Sequence, residues 1–355
     1  MGVLERGGNA FDAAVAGGFV LQVVEPHLNG PGGEAPLMLW SEREQRLRVV
    51  CGQGPAPALA TPEFFRQQGL SMVPGIGLQP ATVPGAFGAW LAMLRDYGTW
   101  SLADVLAPAI GYARDGFPLL PRTVQAIYAV QELFRREWAG SAAAWLPGGQ
   151  VPRPGAIFTL PGVAATYTRI VEESARAGDR RSQIEAALDL WYRGFVAREI
   201  DSFYTHEALR DTSGRRTTGL LRYDDLARWQ PTYEEPLLLD YGRYTVAKCG
   251  VWSQGPVFLQ QLAMLRHAQL ERHAPDSPDF VHRVVEASKL ALADRLAWYG
   301  DPGFTDVPLA DLLSDAYGAE RWARVGSRAA TELDFGRPGG RAPRLPDLDA
   351  ARRTL

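Results

Sequence analysis

The chain has 355 residues, of which 46% are hydrophobic and 22% charged, a composition typical of a soluble globular protein with one large or two smaller cores. Its 37 Lys and Arg nearly balance its 40 Asp and Glu, so the net charge of -3 gives no indication of nucleic-acid binding. Two cysteines are too few for a disulfide framework, and no apolar stretch reaches the roughly 18 residues of a membrane span. We therefore expect neither nucleic acid nor a membrane as a partner.

The N-terminal part of the chain predicts a helix followed by a strand pair. Asn9 is the predicted N-cap, Asp12 lies three residues further on, and Pro26 ends the helix. Strand-like stretches at 36–40 and 47–50 flank a charged segment, which predicts a β-hairpin. One face of the helix carries only small side chains, at three- and four-residue spacing: Ala10, Ala13, Ala14, Gly17 and Gly18.

The rest of the chain is predicted to be mostly helical. A helix capped by Ser101 extends to Arg114, and residues 122–210 are largely helical apart from a Pro- and Gly-rich loop at 146–155. The later predicted elements are two short strands within 237–248 and helices at 256–270 and 279–299.

The sequence contains no internal repeat and no clear domain boundary. Residues 1–335 are therefore predicted to form a single domain of mixed α and β structure, with a helical region at about 100–235. The following residues, 336–355, are rich in Gly, Pro and Arg and are predicted to form a mobile tail.

Two glycine-containing segments match catalytic loops only in part. Residues 30–33 (GPGG) lie between a helix and a strand, whereas a phosphate-binding loop lies between a strand and a helix. Ser253 departs by one residue from the Gly-x-Ser-x-Gly turn of a serine hydrolase. A catalytic triad centred on Ser253 is therefore a minor alternative.

Metal-ligating and charged side chains form no convincing site either. Asp294, Arg295 and Asp301 form a charged group near a helix end, which we interpret as structural partners or helix-end charges. The five histidines are too scattered to indicate a zinc site: His27, His206, His267, His273 and His282. The sequence predicts no metal and no cofactor.

An ordered series of short motifs resembles the γ-glutamyltransferase family. Residues 7–14 (GGNAFDAA), 24–27 (VEPH) and 30–33 are similar to the opening of these enzymes. The later matches, in the family's order, include APA at 56–58, VPG at 83–85, ARDGF at 113–117, WYRG at 191–194, DDL at 224–226, ADR at 293–295 and Gly-Asp-Pro at 300–302. One such motif would be weak, but the ordered set extends from about Gly7 to Gly339.

The resemblance implies an α+β fold of the N-terminal nucleophile hydrolase type, a four-layer αββα sandwich completed by a separate small subunit. In this family a precursor cuts itself, and the small subunit then begins with the nucleophile, a threonine followed by Thr or Val and then His. No such tripeptide occurs here, since Thr218 precedes Gly219 and Thr205 directly precedes His206. We therefore expect no catalytic residue in this chain.

The expected partner is the small subunit, in a heterodimer or a dimer of heterodimers. The predicted tail at 336–355 would lead to the self-cleavage site, because residues 337–339 resemble the stretch shortly before it. Bacterial relatives are typically exported, but no signal peptide is visible, so cytoplasm and periplasm both stay open.

The segment after the hairpin departs from the family's pattern, Asp-x-Arg-Glu-x-Ala-Pro. Residues 51–57 read CGQGPAP, so Gln53 takes the place of the arginine that binds the donor's α-carboxylate, and Gly54 that of its acidic neighbour. A neutral amide cannot form a bidentate charge-assisted pair, and glutathione-like donors are expected to bind poorly. We predict that Gln53, with Gly52 and Gly54, binds substrate; a purely structural role for Gln53 in a turn is the alternative.

The predicted function is hydrolysis or acyl transfer through an acyl-enzyme. The substrate is expected to be another amide, an acylated amine, or a γ-glutamyl compound recognised differently. One alternative is a homologue that has lost catalysis and acts as a binding or scaffold protein, and the least supported is an unrelated soluble enzyme.

Overall fold

The computed structural model describes residues 1–345, which contain fifteen α-helices and nine strands. The helices are α1 (Gly2–Glu5), α2 (Ala10–Val24), α3 (Pro62–Gln67), α4 (Ala86–Tyr97), α5 (Leu102–Asp115), α6 (Pro121–Glu137), α7 (Ala139–Trp145), α8 (Pro161–Ser174), α9 (Arg180–Tyr192), α10 (Phe195–His206), α11 (Tyr223–Arg228), α12 (Gly255–Leu265), α13 (Pro278–Trp298), α14 (Leu309–Leu312) and α15 (Asp315–Trp322). The strands are β1 (Ala35–Ser41), β2 (Arg46–Gly52), β3 (Phe117–Pro118), β4 (Ile157–Phe158), β5 (Leu209–Arg210), β6 (Arg216–Thr217), β7 (Thr232–Glu234), β8 (Leu237–Tyr241) and β9 (Tyr244–Lys248).

The described residues fall into two units. Unit 1 comprises residues 1–37 and 51–232, and unit 2 comprises residues 38–50 and the described residues from 233 onward. The division passes through β1 and β2. The extent of a single domain within residues 1–335 stays a prediction.

The predicted first helix is confirmed, together with its cap. The Asn9 side chain accepts a hydrogen bond from the Asp12 N–H, and the Asp12 carboxylate accepts one from the Asn9 N–H, each at 2.9 Å. This reciprocal capping satisfies two N–H groups that a helix start otherwise leaves unpaired. The helix begins at Ala10 for that reason.

Helices dominate unit 1, where α2 packs against α4 and α5, α5 against α8, and α8 against α9. Aromatic rings fill the space between them. The Phe87 ring stacks on Trp191 with centroids 4.2 Å apart, and Phe19 meets both Phe87 and Tyr167 edge-on. Burying such rings is worth about 1.5–3 kcal/mol each, so this cluster anchors α2, α4, α8 and α9 to one another.

The longer strands form a three-stranded sheet and a two-stranded hairpin. β1, β2 and β7 form a three-stranded sheet in that order, with β1 and β2 joined by a short turn as predicted. β8 and β9 pair in antiparallel register from Leu237 opposite Lys248 to Tyr241 opposite Tyr244, which confirms the two predicted strands. Helix α12 packs on this hairpin and against α13 and α15.

One predicted helix is shorter than expected. The helix predicted at 256–270 ends at Leu265, and a 3-10 turn follows at Leu270–Arg272. Gln269 adopts a left-handed backbone conformation with φ 51°, through which a right-handed helix cannot continue.

The predicted tail is described only in part. Residues 346–355 lie outside the described residues, and their mobility stays a prediction. Within the described part, Gly336 and Pro338 are buried, and the Gly336 carbonyl accepts a hydrogen bond of 3.1 Å from the Trp298 indole.

Candidate functional site

The predicted binding segment, residues 52–54, packs backbone against backbone on residues 83–85. A Cβ added to Gly54 would lie 1.7 Å from the Val83 carbonyl oxygen, and one added to Gly85 would lie 1.9 Å from the Gly52 carbonyl oxygen. Real Cβ atoms do not approach this closely, so only glycine fits at either position. The glycine in place of the family's acidic residue is therefore required by the packing of this chain.

Four of the sequence motifs converge on this segment and fix it. In the VPG motif, the Val83 N–H donates to the Pro55 carbonyl at 3.0 Å. In WYRG, the Tyr192 hydroxyl donates to the Pro84 carbonyl at 2.8 Å. In DDL, Asp225 accepts from the N–H of Ala58, within APA, at 2.9 Å. These motifs therefore hold the segment that carries Gln53.

Gln53 lies at the end of the hairpin and is partly exposed. Its side-chain amide donates a hydrogen bond to the carboxylate of Glu34, which precedes β1. Sequence reasoning missed Glu34, although it directly follows the glycine loop at 30–33 and is close to the start of the hairpin. The predicted donor-binding position thus carries an amide already bonded to a carboxylate.

Glu34 lines a cavity of about 620 Å³ in unit 1. The walls come from the glycine loop, the start of β1, Trp90 and the second half of α2, where a Cβ at Gly18 would collide with the Trp90 ring at 2.5 Å. The small-residue face of α2 thus accepts Trp90 at close range in this cavity wall.

Two polar side chains of the cavity wall have partners within unit 1. His27 Nδ1 lies 3.0 Å from the Thr123 hydroxyl, and Gln22 accepts a 2.7 Å hydrogen bond from the Tyr167 hydroxyl. Burial raises the pKa of Tyr167, so this phenol stays protonated and acts as a donor. The wall also carries the carboxylate of Glu34, which accepts its hydrogen bond from Gln53.

The GGNAFDAA motif has a structural role in this chain. Asp12 is fully buried, and its carboxylate accepts hydrogen bonds from the N–H groups of Asn9, Thr99 and Trp100 and from the Thr99 hydroxyl. Burial raises the pKa of Asp12, but hydrogen bonds from Trp100, Asn9 and Thr99 outweigh it and hold the pKa below its usual value. The ionised carboxylate ties the start of α2 to the loop after α4.

The charged group near the end of α13 makes structural contacts. Asp294 is fully buried, Arg295 is exposed, and Asp301 caps a local turn by accepting from the Gly303 N–H at 2.8 Å. Asp294 pairs with the buried guanidinium of Arg321 at 3.2 Å. The structural interpretation of this group therefore holds.

The carboxylate of Asp294 is surrounded by donors within unit 2. It accepts hydrogen bonds from the Tyr317 hydroxyl at 2.8 Å, the Gln260 amide at 2.7 Å and the Gly336 N–H at 2.7 Å. Burial raises the pKa of Asp294, although these donors and Arg321 favour its charged form. The cluster connects α12, α13 and α15 to residue 336.

The other sequence candidates have local roles. The Ser253 hydroxyl donates to the Gly250 carbonyl at 2.8 Å and accepts from the Gly255 N–H at 3.0 Å, which places it in the turn before α12. Thr217 donates to Asp211 at 3.1 Å. Among residues 1–345, no three His, Cys, Asp or Glu side chains are grouped to hold a metal ion.

Among the described residues, 1–345, no helix is both long and apolar enough to cross a bilayer. The two cysteines, Cys51 and Cys249, are not joined in a disulfide.

Comparison with known proteins identifies the family to which this chain belongs. A model described as gamma-glutamyltranspeptidase matches residues 1–346. The chain therefore belongs to the gamma-glutamyltranspeptidase family. The predicted family and its α+β, N-terminal nucleophile hydrolase fold class are confirmed.

Curated relatives include enzymes with different printed activities. The chain is 30% identical over 325 residues to the glutathione hydrolase-like YwrD proenzyme of Bacillus subtilis, covering 91% of this chain and 57% of the relative. It is 31% identical over 352 residues to the acylase ACY 1 proenzyme of Pseudomonas sp. strain SE83, covering 95% and 58%. It is 30% identical over 321 residues to the oxamate amidohydrolase proenzyme of Klebsiella pneumoniae, covering 88% and 55%. The chain thus spans somewhat more than half the length of these relatives, which are hydrolases and acylases.

Solved structures give the same fold. The structure of LmbA2991HD matches with a TM-score of 0.90 and 50% identity, covering 98% of this chain and 59% of that chain. The gamma-glutamyltranspeptidase of Helicobacter pylori matches with a TM-score of 0.81 and 26% identity, covering 95% of this chain and 91% of that chain.

Proposed function

We propose that this chain is the large subunit of a self-processing amide hydrolase or acyltransferase. The observation that carries the proposal is the family match over residues 1–346. It is supported by the share of each solved chain that this chain matches. The chain corresponds to 91% of one chain in the Helicobacter pylori enzyme but to 59% of the LmbA2991HD chain. The matched region therefore corresponds to most of one chain in the first structure and to part of a longer chain in the second, which supports two subunits cut from one precursor.

The nucleophile in this proposal is the N-terminal threonine of the small subunit. Its hydroxyl attacks the substrate carbonyl, its α-amine accepts the hydroxyl proton, and the leaving amine departs with that proton. The α-amine suits the role because its unperturbed pKa is about 8, close to neutral pH. The ester formed on threonine is then released to water or to an acceptor amine, which gives hydrolysis or transfer.

The proposed donor has no carboxylate in the part that would lie beside Gln53. Two like charges 4 Å apart repel by about 1 kcal/mol in bulk water and by about 4 kcal/mol near a protein surface. A donor carboxylate beside Glu34 would meet this repulsion, and the amide of Gln53 is already bonded to Glu34. An uncharged acyl group is therefore preferred over glutathione, in keeping with the acylase among the relatives.

A second candidate is a homologue without catalysis that binds an amide ligand or another protein. The altered segment around Gln53 favours it, because binding does not require the family's donor arginine. The two candidates differ in one property. The hydrolase requires a self-cleaved precursor with a free N-terminal threonine, whereas the binding protein can be processed or unprocessed and does not cleave an amide.

The test compares different acyl donors as substrates of the protein made from the full-length precursor. We would measure kcat/KM for a γ-glutamyl anilide and for matched N-acyl anilides without an α-carboxylate. The expected result is at least a tenfold preference for the uncharged acyl group, abolished when the exposed threonine is replaced by alanine. A preference for the γ-glutamyl anilide would overturn the donor assignment, and cleavage of neither anilide would favour the binding protein.

A further inference from the structure

A second cavity of unit 1, the α3 cavity, shares no wall residue with the cavity beside Glu34. It has a volume of about 490 Å³ and lies between α3, Gln79 and the segment 216–222. This volume is in the range of sites that hold small molecules. The proposed function gives this cavity no role.

The walls of the α3 cavity are joined to each other through Asp211. Gly77, two residues before Gln79, lies against Asp211, since a Cβ added to Gly77 would be 2.9 Å from the Asp211 Cβ. The Asp211 carboxylate accepts a 3.1 Å hydrogen bond from the hydroxyl of Thr217, which lines the cavity. Because these contacts hold the walls in place without a ligand, little ordering is needed on binding.

Gln79 is the buried polar residue of the α3 cavity. Only 4% of its surface is exposed, and its amide oxygen accepts no hydrogen bond from residues 1–345. Buried acceptors without a donor are rare in folded proteins, because they cost free energy. The terminal torsion of glutamine is broad, so the amide can rotate to turn its oxygen toward a ligand. Gln79 can therefore accept a hydrogen bond from a bound N–H group.

Two arginines give the α3 cavity a positive charge. Arg216 pairs with Glu137 at 2.6 Å, and its side chain remains 55% exposed. Arg222 donates through Nη1 to two backbone carbonyls, and within the described part of the chain its guanidinium pairs with no carboxylate. Asp225 accepts from the backbone N–H of Arg222. Since none of the described lining residues is acidic, the cavity suits a carboxylate, which matches the planar fork of arginine.

We propose that the α3 cavity binds a small N-acylated amino acid with an apolar side chain. The ligand carboxylate pairs with Arg216 and Arg222, and the ligand amide N–H donates to Gln79. The apolar part packs on Leu59 and Phe64, which line the same cavity. A free amino acid fits less well, because its ammonium group would lie close to two guanidinium groups. The inference goes beyond the proposed function and does not depend on it.

The first experiment titrates the protein made from the full-length precursor with N-acetylphenylalanine. Two matched ligands each lack one feature: N-acetylphenylalaninamide has no carboxylate, and N-acetyl-N-methylphenylalanine has no N–H. Ligand-observed NMR measures the dissociation constants and registers any hydrolysis separately. We expect N-acetylphenylalanine to bind about tenfold more tightly than either matched ligand. Equal affinities of the three ligands, or no binding of N-acetylphenylalanine, would overturn the proposal.

The second experiment locates the bound ligand. Gln79→Met keeps the size of the side chain and removes its amide, and Gln67→Met makes the same change on an exposed part of α3 outside the cavity. We expect Gln79→Met to bind N-acetylphenylalanine about tenfold more weakly and to lose the discrimination against the N-methylated ligand. Gln67→Met should bind as the wild type does. Unchanged binding by Gln79→Met, or binding lost only in Gln53→Ala, would overturn the assignment of the site.

Arg216→Gln tests the carboxylate contact without changing the buried part of the cavity. The Arg216 side chain is more than half exposed, so this variant remains informative should Gln79→Met impair folding. The preference for N-acetylphenylalanine over its amide is expected to decrease. An unchanged preference would contradict the position assigned to the carboxylate. All these measurements record binding alone, so a protein that neither cleaves itself nor hydrolyses amides would refute the proposed function and leave this inference intact.

Discussion

Gln53 donates a hydrogen bond to Glu34 where β1 begins and β2 ends, and the carboxylate of Glu34 lines the cavity of unit 1. The substitution relative to the family's pattern is therefore more than the loss of one arginine. A carboxylate lies beside Gln53, so under the proposed function a donor carboxylate would meet a negative charge there rather than a cation.

Gln53→Arg alone is expected to raise glutathione turnover little, because the new guanidinium would pair with Glu34. Adding Glu34→Gln leaves the arginine free for the donor carboxylate. A hydrogen bond to a charged group is worth about 1.5–3 kcal/mol, which corresponds to about 10- to 100-fold in kcat/KM. The measurement is glutathione kcat/KM for the two variants. Equal values for the single and double variants would show that Glu34 does not control the arginine.

Gly54→Ala is expected to lower the free energy of unfolding by about 3 kcal/mol, because the methyl group would overlap the Val83 carbonyl. Gly111→Ala, in helix α5 with no atom within 4 Å of the added carbon, is the control. It should be neutral or stabilise by up to about 1 kcal/mol. Urea unfolding measures both, and similar behaviour of the two variants would contradict the close backbone packing.

Asp12→Asn is expected to destabilise the protein by about 3 kcal/mol at pH 7. The asparagine NH2 group would face an N–H donor that the carboxylate now satisfies. Asp104→Asn, whose partner is the Ser101 hydroxyl at the exposed start of α5, should cost less than about 1 kcal/mol. Unfolding free energies at pH 7 test the contrast.

The same carboxylate predicts a pH dependence. Because the pKa of Asp12 is lowered by folding, its contribution is complete above the unfolded pKa of about 3.9 and is lost as the pH falls through the lower folded pKa. The gap between wild type and Asp12→Asn should therefore shrink below about pH 4. A gap that stays constant down to pH 2 would argue against an ionised Asp12.

Arg321→Met is expected to cost about 3–5 kcal/mol, because Asp294 would be left buried without its cation. Asp294→Asn in the same molecule removes that charge and should recover part of the loss. Urea denaturation of the single and double variants gives the coupling energy. Additive losses would show that the two side chains do not stabilise each other.

Much of the fold was predictable because local signals and tertiary packing agree. Asn9 and Ser101 cap the starts of helices in both the sequence and the structure. The end of α12 was predicted wrongly, because neither a glycine nor a proline marks it and Gln269, at φ 51°, gives no signal in the sequence of its left-handed conformation.

The candidate site was predictable in position but not in chemistry. Gln53 stood out only against the family's pattern, and Glu34 carries no motif of its own. The equal lengths of β1 and β2 would have indicated the contact between Glu34 and Gln53. A hairpin that pairs Ala35 with Gly52 brings residues 34 and 53 together. The backbone contacts that demand Gly54 and Gly85 join residues about 30 positions apart, which no local pattern predicts.

Intact-mass spectrometry of the purified full-length precursor product tests the central claim most directly. The account predicts two polypeptides, of which the smaller begins with threonine followed by Thr or Val and then His. A single uncleaved polypeptide, or a smaller fragment beginning with another residue, would contradict a self-processing hydrolase with an N-terminal threonine nucleophile.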